Sequence, residues 1–278
     1  MKRHSLAVTA LFVGIATGAQ AFDLPPMVEE APEIPGITAA SGWYIRGDLG
    51  YNAGIKMDNP SYRIHNSATD SYHSRSFDRT RLDGDFSLSA GAGYQFNDFF
   101  RSDMTLDYFR ASLDGKSGRS SPCSVIEGAG TNCQFSHKQS LSALSLLANG
   151  YVEGGTYFGI TPYLGAGAGV ANVDWSGHNT TKHCVSNSGG CSKYSDYKTR
   201  ETGGAESWRF AYALMVGASY DISRNTKIDF GYRYYNIAGG DMFDWSTYEA
   251  KRGALGGKGK DKGFSRHEFR VGLRLTGW

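Results

Sequence analysis

Beyond its first two dozen positions the chain has no run of ~20 apolar residues, so no later segment can cross a bilayer as a helix. Its mean hydropathy of -0.41 points the same way and excludes a helical membrane protein. It does not exclude a β-barrel, whose strands alternate apolar and polar residues and average out as hydrophilic. A charge excess is also missing. Removing residues 1–21 takes away Lys2 and Arg3 and no carboxylate, which lowers the formal charge from +2 to zero. A general nucleic-acid binder usually carries a basic patch and a basic excess, so nucleic acid is not an expected partner. Cysteine is scarce, with four residues in two close pairs, Cys123 with Cys133 and Cys184 with Cys191. Neither gap matches the C-x₂₋₄-C spacing of zinc sites, and no paired-histidine motif accompanies them. No cofactor motif stands out.

What is present begins with an export signature. Lys2, Arg3 and His4 precede an apolar stretch from Leu6 to Ala19, and Ala19-Gln20-Ala21 supplies a small-x-small cleavage site. Residues 1–21 therefore read as a signal peptide cut before Phe22. An exported chain meets an oxidising compartment, where disulfides persist. Four cysteines permit three connectivities. The two local bridges are preferred, because each pair falls within one expected loop. Residues 22–41 hold Pro25, Pro26, Pro32 and Pro35 with three glutamates and read as an extended leader on the periplasmic side.

From Gly42 the pattern turns to period two, the signature of strands whose side chains point to alternate faces. Eight such runs follow. The clearest is Asp85 to Phe96, with Phe86, Leu88, Ala90, Ala92, Tyr94 and Phe96 against Asp85, Ser87, Ser89, Gly91, Gly93 and Gln95. The first sets Trp43, Ile45, Leu49 and Tyr51 against Tyr44, Arg46 and Asp48, and the last sets Phe269, Val271, Leu273 and Leu275 against Glu268, Arg270 and Arg274. Three connections are short: Asn97-Asp98, residues 154–160, and Ser223-Arg224-Asn225. Four are long: roughly 52–83, 111–138, 173–206 and 237–263. Short turns alternating with long loops mark outer-membrane barrels. The expected fold is all-β, an eight-stranded antiparallel transmembrane β-barrel over 42–278 with four long extracellular loops. Trp43, Phe96, Phe99, Phe100, Tyr220 and Trp278 would form an inner aromatic girdle, and Tyr108, Trp208, Phe210, Tyr234 and Phe264 an outer one.

The polar face carries both signs of charge: Arg46, Asp48, Asp85, Arg101, Asp103, Asp107, Glu153, Arg209, Asp229, Arg233, Glu268, Arg270 and Arg274. An eight-stranded barrel is just wide enough for side chains to fill it. Buried charges are costly unless paired, so this set is expected to form an ion-paired plug. A narrow pore lined by the same residues is the alternative. Gly165, Gly167 and Gly169 alternate within a strand and make room for bulky neighbours; no helix follows, as a nucleotide loop would need. The GGKGKDKG stretch reads as a flexible basic loop tip. There Lys251, Arg252, Lys258, Lys260 and Lys262 either meet the phosphates of lipopolysaccharide or form a solvated loop. Ser265 and His267 share a face two residues apart, the minimum for an activated nucleophile, but no orienting acid is evident. An enzyme is not expected.

Four segments carry a family likeness: GWYIRGDLGY (42–51), TPYLGAGAGVA (161–171), FGYRYY (230–235) and HEFRVGLRL (267–275). They resemble the outer-membrane β-barrel surface antigens of rhizobia and brucellae, which belong with the opacity-type and OmpA-type barrels of the porin family. The resemblance implies a surface antigen that supports the envelope and displays loops for recognition or adhesion. Its implied partners are outer-membrane lipid and lipopolysaccharide, the barrel-assembly machinery, and a host or phage surface ligand. Trp278 departs from the family pattern, standing one residue out of phase with Val271, Leu273 and Leu275.

Overall fold

The computed structural model describes residues 41–66, 71–122, 131–186, 200–244 and 258–276. The expected signal peptide (1–21), the expected leader (22–41) apart from Ser41, and Cys123, Cys191, Lys251, Arg252 and Trp278 lie outside them. The described residues form one antiparallel sheet of thirteen strands. These are β1 (Gly42–Met57), β2 (Ser61–Asn66), β3 (Ser71–Ser76), β4 (Arg79–Asp83), β5 (Phe86–Gln95), β6 (Phe100–Pro122) and β7 (Thr131–Glu153). The rest are β8 (Ile160–Trp175), β9 (His178–Ser186), β10 (Arg200–Thr202), β11 (Ala205–Ser223), β12 (Thr226–Asp244) and β13 (Lys258–Thr276).

Eight of them, β1, β5, β6, β7, β8, β11, β12 and β13, each have a hydrogen-bonded neighbour on both sides. The path β1–β5–β6–β7–β8–β11–β12–β13 returns to β1, because β6 pairs with β7 over a long register and β13 pairs with β1 from Tyr44↔Thr276 to Met57↔Phe264. Where all eight strands run together the sheet meets itself and leaves no exposed edge, so their backbone groups are satisfied by neighbours there. The five shorter strands decorate one end: β2 pairs with β3 and touches β13, β4 extends β6, β9 extends β7, and β10 extends β9.

Alternation holds as read from the sequence. β1 buries Tyr44, Arg46, Asp48 and Asn52 and exposes Trp43, Ile45, Leu49 and Tyr51. The three short turns fall at 96–99, 154–159 and 224–225, where the sequence places them. Among the described residues the four long connections are mostly strand rather than loop. β6 runs on to Pro122 and β7 starts at Thr131, so the expected 111–138 loop is largely a hairpin whose inward residues Ala111, Leu113, Ser117, His137, Gln139 and Leu141 keep the parity of the strand below. The GGKGKDKG stretch is corrected in the same way: from Lys258 onward it is the start of β13, paired to β12 as far as Asp244↔Lys258. Phe264 is also corrected. It is expected at the outer aromatic rim, but it keeps the inward parity of Arg266 and Glu268 and is buried; the phase changes only beyond it, at Gly263 with φ 94°.

Candidate functional site

The space enclosed by the eight paired strands is filled in tiers. The lowest is an ion-pair network near the short turns. Arg101 Nε donates to Glu153 Oε1 at 2.6 Å, Arg274 Nη1 reaches the same oxygen at 3.2 Å, and Gln95 Nε2 donates to Glu153 Oε2 at 2.8 Å. Arg274 Nη2 also donates to Ser219 Oγ at 2.8 Å and Asp229 Oδ1 at 3.2 Å. Arg46 comes next, with Nη2 to Asp48 Oδ1 at 2.6 Å and Nη1 to Asp103 Oδ2 at 3.0 Å. Arg270 Nη2 is 3.1 Å from Asp48 Oδ2. Tyr44 and Asn149 donate to the two oxygens of Asp103 at 3.0 and 2.7 Å.

Above these lies a four-membered ring of charges. Arg233 donates to Glu268 at 2.5 Å and to Asp107 at 2.6 Å, and Arg266 reaches Asp107 at 3.1 Å and Glu268 at 2.9 Å. Each cation meets two anions and each anion two cations, the geometry in which mutual attraction best offsets desolvation. Among the described residues, the buried charged side chains are seven arginines and seven carboxylates, a balance of zero. A cavity of about 10 Å³ sits among Arg46, Asp48, Tyr151, Asp229 and Arg270, room for at most one water.

The third tier is apolar. The Arg266 guanidinium lies 4.1 Å from the Phe109 ring centroid and 4.6 Å from that of Tyr235, so aromatic faces cap the charges. Beyond them Leu113, Leu141, Trp175, Ile237, Met242 and Phe264 pack into one buried cluster. Arg209 stands at this height and donates through Nη1 to both oxygens of Asp261, at 2.9 and 2.7 Å. A final buried layer holds two histidines. Ser117 Oγ is 2.7 Å from His137 Nε2, His137 Nδ1 is 3.0 Å from His178 Nε2, and His178 Nδ1 is 3.3 Å from Gln139 Oε1. Phe77 packs edge-on against His137 and Phe243 stacks on His178. Burial holds the His137 pKa down at about 3, with help from the neighbouring His178, and burial alone holds that of His178 at about 4.

Twelve of the thirteen residues expected inside are buried together, and Asp85 is not. Asp85 stands before β5, where the chain has not yet entered the strand, and it is exposed; only its carbonyl is used, accepting from the Asn52 amide at 2.8 Å. Arg266 and Asp261 belong to the interior and were missed. Both continue the inward face of β13 into a stretch that looks like loop. The glycine alternation does what the strand reading expects. A Cβ at Gly167 would sit 2.0 Å from Asn149 Oδ1, and one at Gly165 would sit 2.5 Å from the Tyr151 ring.

The outer surface of the ring is apolar in a band. On β1 exposed apolar side chains run from Trp43 to Tyr51, on β6 from Phe100 to Tyr108, and on β7 from Val152 back to Leu144, nine residues in each case. Trp43 is 68% exposed and Trp208 71%, which no water-facing surface needs. Past the band the outward residues turn polar. Ser265 shows no hydrogen bond to His267; the His267 Nδ1 lies instead 2.5 Å from the Tyr232 hydroxyl. Lys260 and Lys262 are exposed, and Lys260 is 3.7 Å from Asp241. Cys133 lies directly opposite Cys184 in the β7–β9 register, and Cys184 is engaged rather than free. Among the described residues no group of three or more His, Cys, Asp or Glu is arranged to hold a metal ion.

The model of the outer membrane protein beta-barrel domain matches residues 7–275. An uncharacterized protein of Brucella abortus (strain 2308) is 35% identical over 293 residues, spanning 99% of both chains. A candidate adhesin of Rickettsia bellii (strain RML369-C) is 29% identical over 199 residues, 68% of this chain and 74% of its own. The crystal structure of Neisserial surface protein A aligns over 85% of this chain and 98% of its own at 17% identity, with a TM-score of 0.42.

Proposed function

The chain belongs to the outer membrane protein beta-barrel domain family, an outer-membrane location follows, and from that premise we propose that it is a sealed eight-stranded transmembrane barrel that works through its outer face. In this reading residues 1–21 are removed on export, the assembly machinery inserts the barrel, and the short turns face the periplasm. The apolar band supports a crossing, since nine residues per strand match the ~9–11 that a tilted strand needs to traverse a bilayer.

The observation that carries the reading is the filled lumen. Seven arginines and seven carboxylates pair off across it, and an apolar tier and a histidine layer close its outer end. A conducting pore needs a continuous water path, and the paired charges leave little room for one. The work then falls to the outer hairpins, β2–β3, β6–β7, β9–β10 and β12–β13, which stand beyond the band and suit recognition or adhesion beside a structural role in the envelope. The adhesin relative in Rickettsia supports that choice.

The test is attachment by cells that display the protein. Replacing the β2–β3 hairpin, Ser61–Ser76, with a short turn is expected to reduce attachment to cultured host cells while leaving outer-membrane insertion unchanged. Equal attachment by hairpin-replaced and intact protein, repeated for each outer hairpin, would leave only the structural role.

A further inference from the structure

Just beyond the apolar band the wall has a gap. β1 continues to Met57 beside β13, but β5 begins only at Phe86, so the outer end of β1 has β13 on one side and no paired strand on the other. β4 comes up beside it, paired to β6 and not to β1. Between them opens a recess of about 380 Å³. Its floor is apolar, with Leu82 and Phe264, and its rim carries Lys56, Arg81 and Lys262. Asn236 and Ser265 add neutral polar groups, and Asp58 is the acidic residue of the wall.

Among the described residues two of these cations form no ion pair. Arg81 donates to Asp83 at 2.8 Å, but among the described residues neither Lys56 nor Lys262 has an ion-pair partner. Lys56 and Ser265 face each other in register, so they lie on the same face of the sheet. Tyr51, opposite Phe269, is the last exposed aromatic of the band on β1. Lys56 is five residues further along; at ~3.3 Å per residue and a tilt of about 45°, it stands roughly 12 Å further out. A lysine reaches back over part of that distance with its charged end toward the interface. The height is that of a headgroup layer, not of bulk water.

We propose that this recess binds a phosphate of an outer-leaflet glycolipid, Lys56 and Lys262 holding the anion over a floor closed by the buried side chains of Leu82 and Phe264. The proposal rests on the transmembrane reading above, because that reading sets the height. Lys and Arg are strong phosphate ligands, and the position at the membrane surface favours a lipid phosphate over a soluble one. The site differs from the basic segment at 251–262 in needing Lys56, from the opposite end of the chain.

The experiment uses the refolded protein in detergent micelles and native mass spectrometry. The probes are diphosphoryl lipid A and its dephosphorylated form. The expected result is binding of the diphosphoryl form that falls about tenfold or more with dephosphorylation, and by a similar factor in the Lys56→Gln/Lys262→Gln variant. A Lys260→Gln control, outside the recess, is expected to bind as the parent does. Millimolar pyrophosphate should not displace the lipid. Equal binding of the two lipids, a double variant that binds normally, or displacement by pyrophosphate overturns the proposal. Insertion of the same protein into vesicles, scored by protease protection, separates the two readings: protection without lipid preference leaves the barrel and removes the site, while absence of protection removes both.

Discussion

His137 Nδ1 lies 3.0 Å from His178 Nε2, and the hydrogen bonds on either side fix which way the protons run. Gln139 Nε2 donates to the carbonyls of Ser176 and Met242, so its Oε1 faces His178 and must accept from Nδ1. His178 Nε2 then accepts from His137 Nδ1, and His137 Nε2 accepts from Ser117. With both rings neutral every contact in this chain joins one donor to one acceptor; a second proton on His178 Nε2 would face the His137 Nδ1–H, and one on His137 Nε2 would require the Ser117 hydroxyl to turn and accept. Both pKa values lie below the ordinary 6.5, at about 3 and about 4, so the folded state prefers the neutral rings. The stability this contributes is full above pH 6.5 and is lost as pH falls toward 4, by about 1.4 kcal/mol per histidine per pH unit. Hydrogen exchange at the outer ends of β7 and β9 should therefore accelerate between pH 6.5 and 4.5. A His137→Asn/His178→Gln variant should lose most of that pH dependence; retaining it in full would place its source elsewhere.

The ring of Arg233, Asp107, Arg266 and Glu268 makes a second prediction. Removing one member leaves a buried charge without its partner, which costs roughly 3–5 kcal/mol. Asp107→Asn and Glu268→Gln should each lower the unfolding free energy, read from urea curves in micelles, by an amount of that order, and lower the midpoint with it. The Arg81→Gln change, at an exposed ion pair, should leave the midpoint within error. Similar midpoints for all three variants would mean that the lumen charges are hydrated, not paired.

Gly167 is placed to admit Asn149, whose amide serves Asp103 and Thr105. A methyl group at 167 displaces that amide, so Gly167→Ala is expected to destabilise by about 1–3 kcal/mol. A Gly150→Ala change, where a Cβ would meet nothing within 4 Å, is the matched control and should be close to neutral. If the two variants unfold alike, close packing is not the reason for the alternating glycines.

The cysteines offer a chemical readout. With Cys133 opposite Cys184, the register favours a bridge between β7 and β9 over two bridges within loops. Non-reducing peptide mapping should recover a peptide containing Cys133 joined to one containing Cys184. Recovery of Cys123 with Cys133 and Cys184 with Cys191 would restore the local pairing expected from spacing alone.

Much of this was legible in the sequence because period two is a strong signal where one face meets apolar surroundings and the other a charged interior. That holds for Trp43–Tyr51, Phe86–Gln95 and Phe100–Tyr108, and there both faces and all three short turns were readable. The signal fades where both faces become mixed. From Phe109 to Ser117 the inward residues are apolar or small and the outward ones polar, the reverse of the pattern below, so a continuing strand resembles a loop. Leu113, Phe264 and the histidine layer sit in such stretches, while around Arg266 and Asp261 both faces are polar, with Lys260, Lys262 and Ser265 outward. Carrying the strand parity past the last clear residue would have found Arg266 from Glu268 and Leu113 from Asp107. It would have found Phe264 as well, two residues before Arg266, but not Asp261, because the irregularity at Gly263 changes the phase. Asp85 fails for the opposite reason: parity was carried one residue too far, before the strand begins.

The central claim is a sealed lumen, and conductance tests it most directly. Refolded protein, shown to be folded by protease resistance, should produce no steady channels across a planar bilayer in moderate salt. Steady, reproducible single-channel steps from the same preparation would contradict the plug and make the paired charges the lining of a pore.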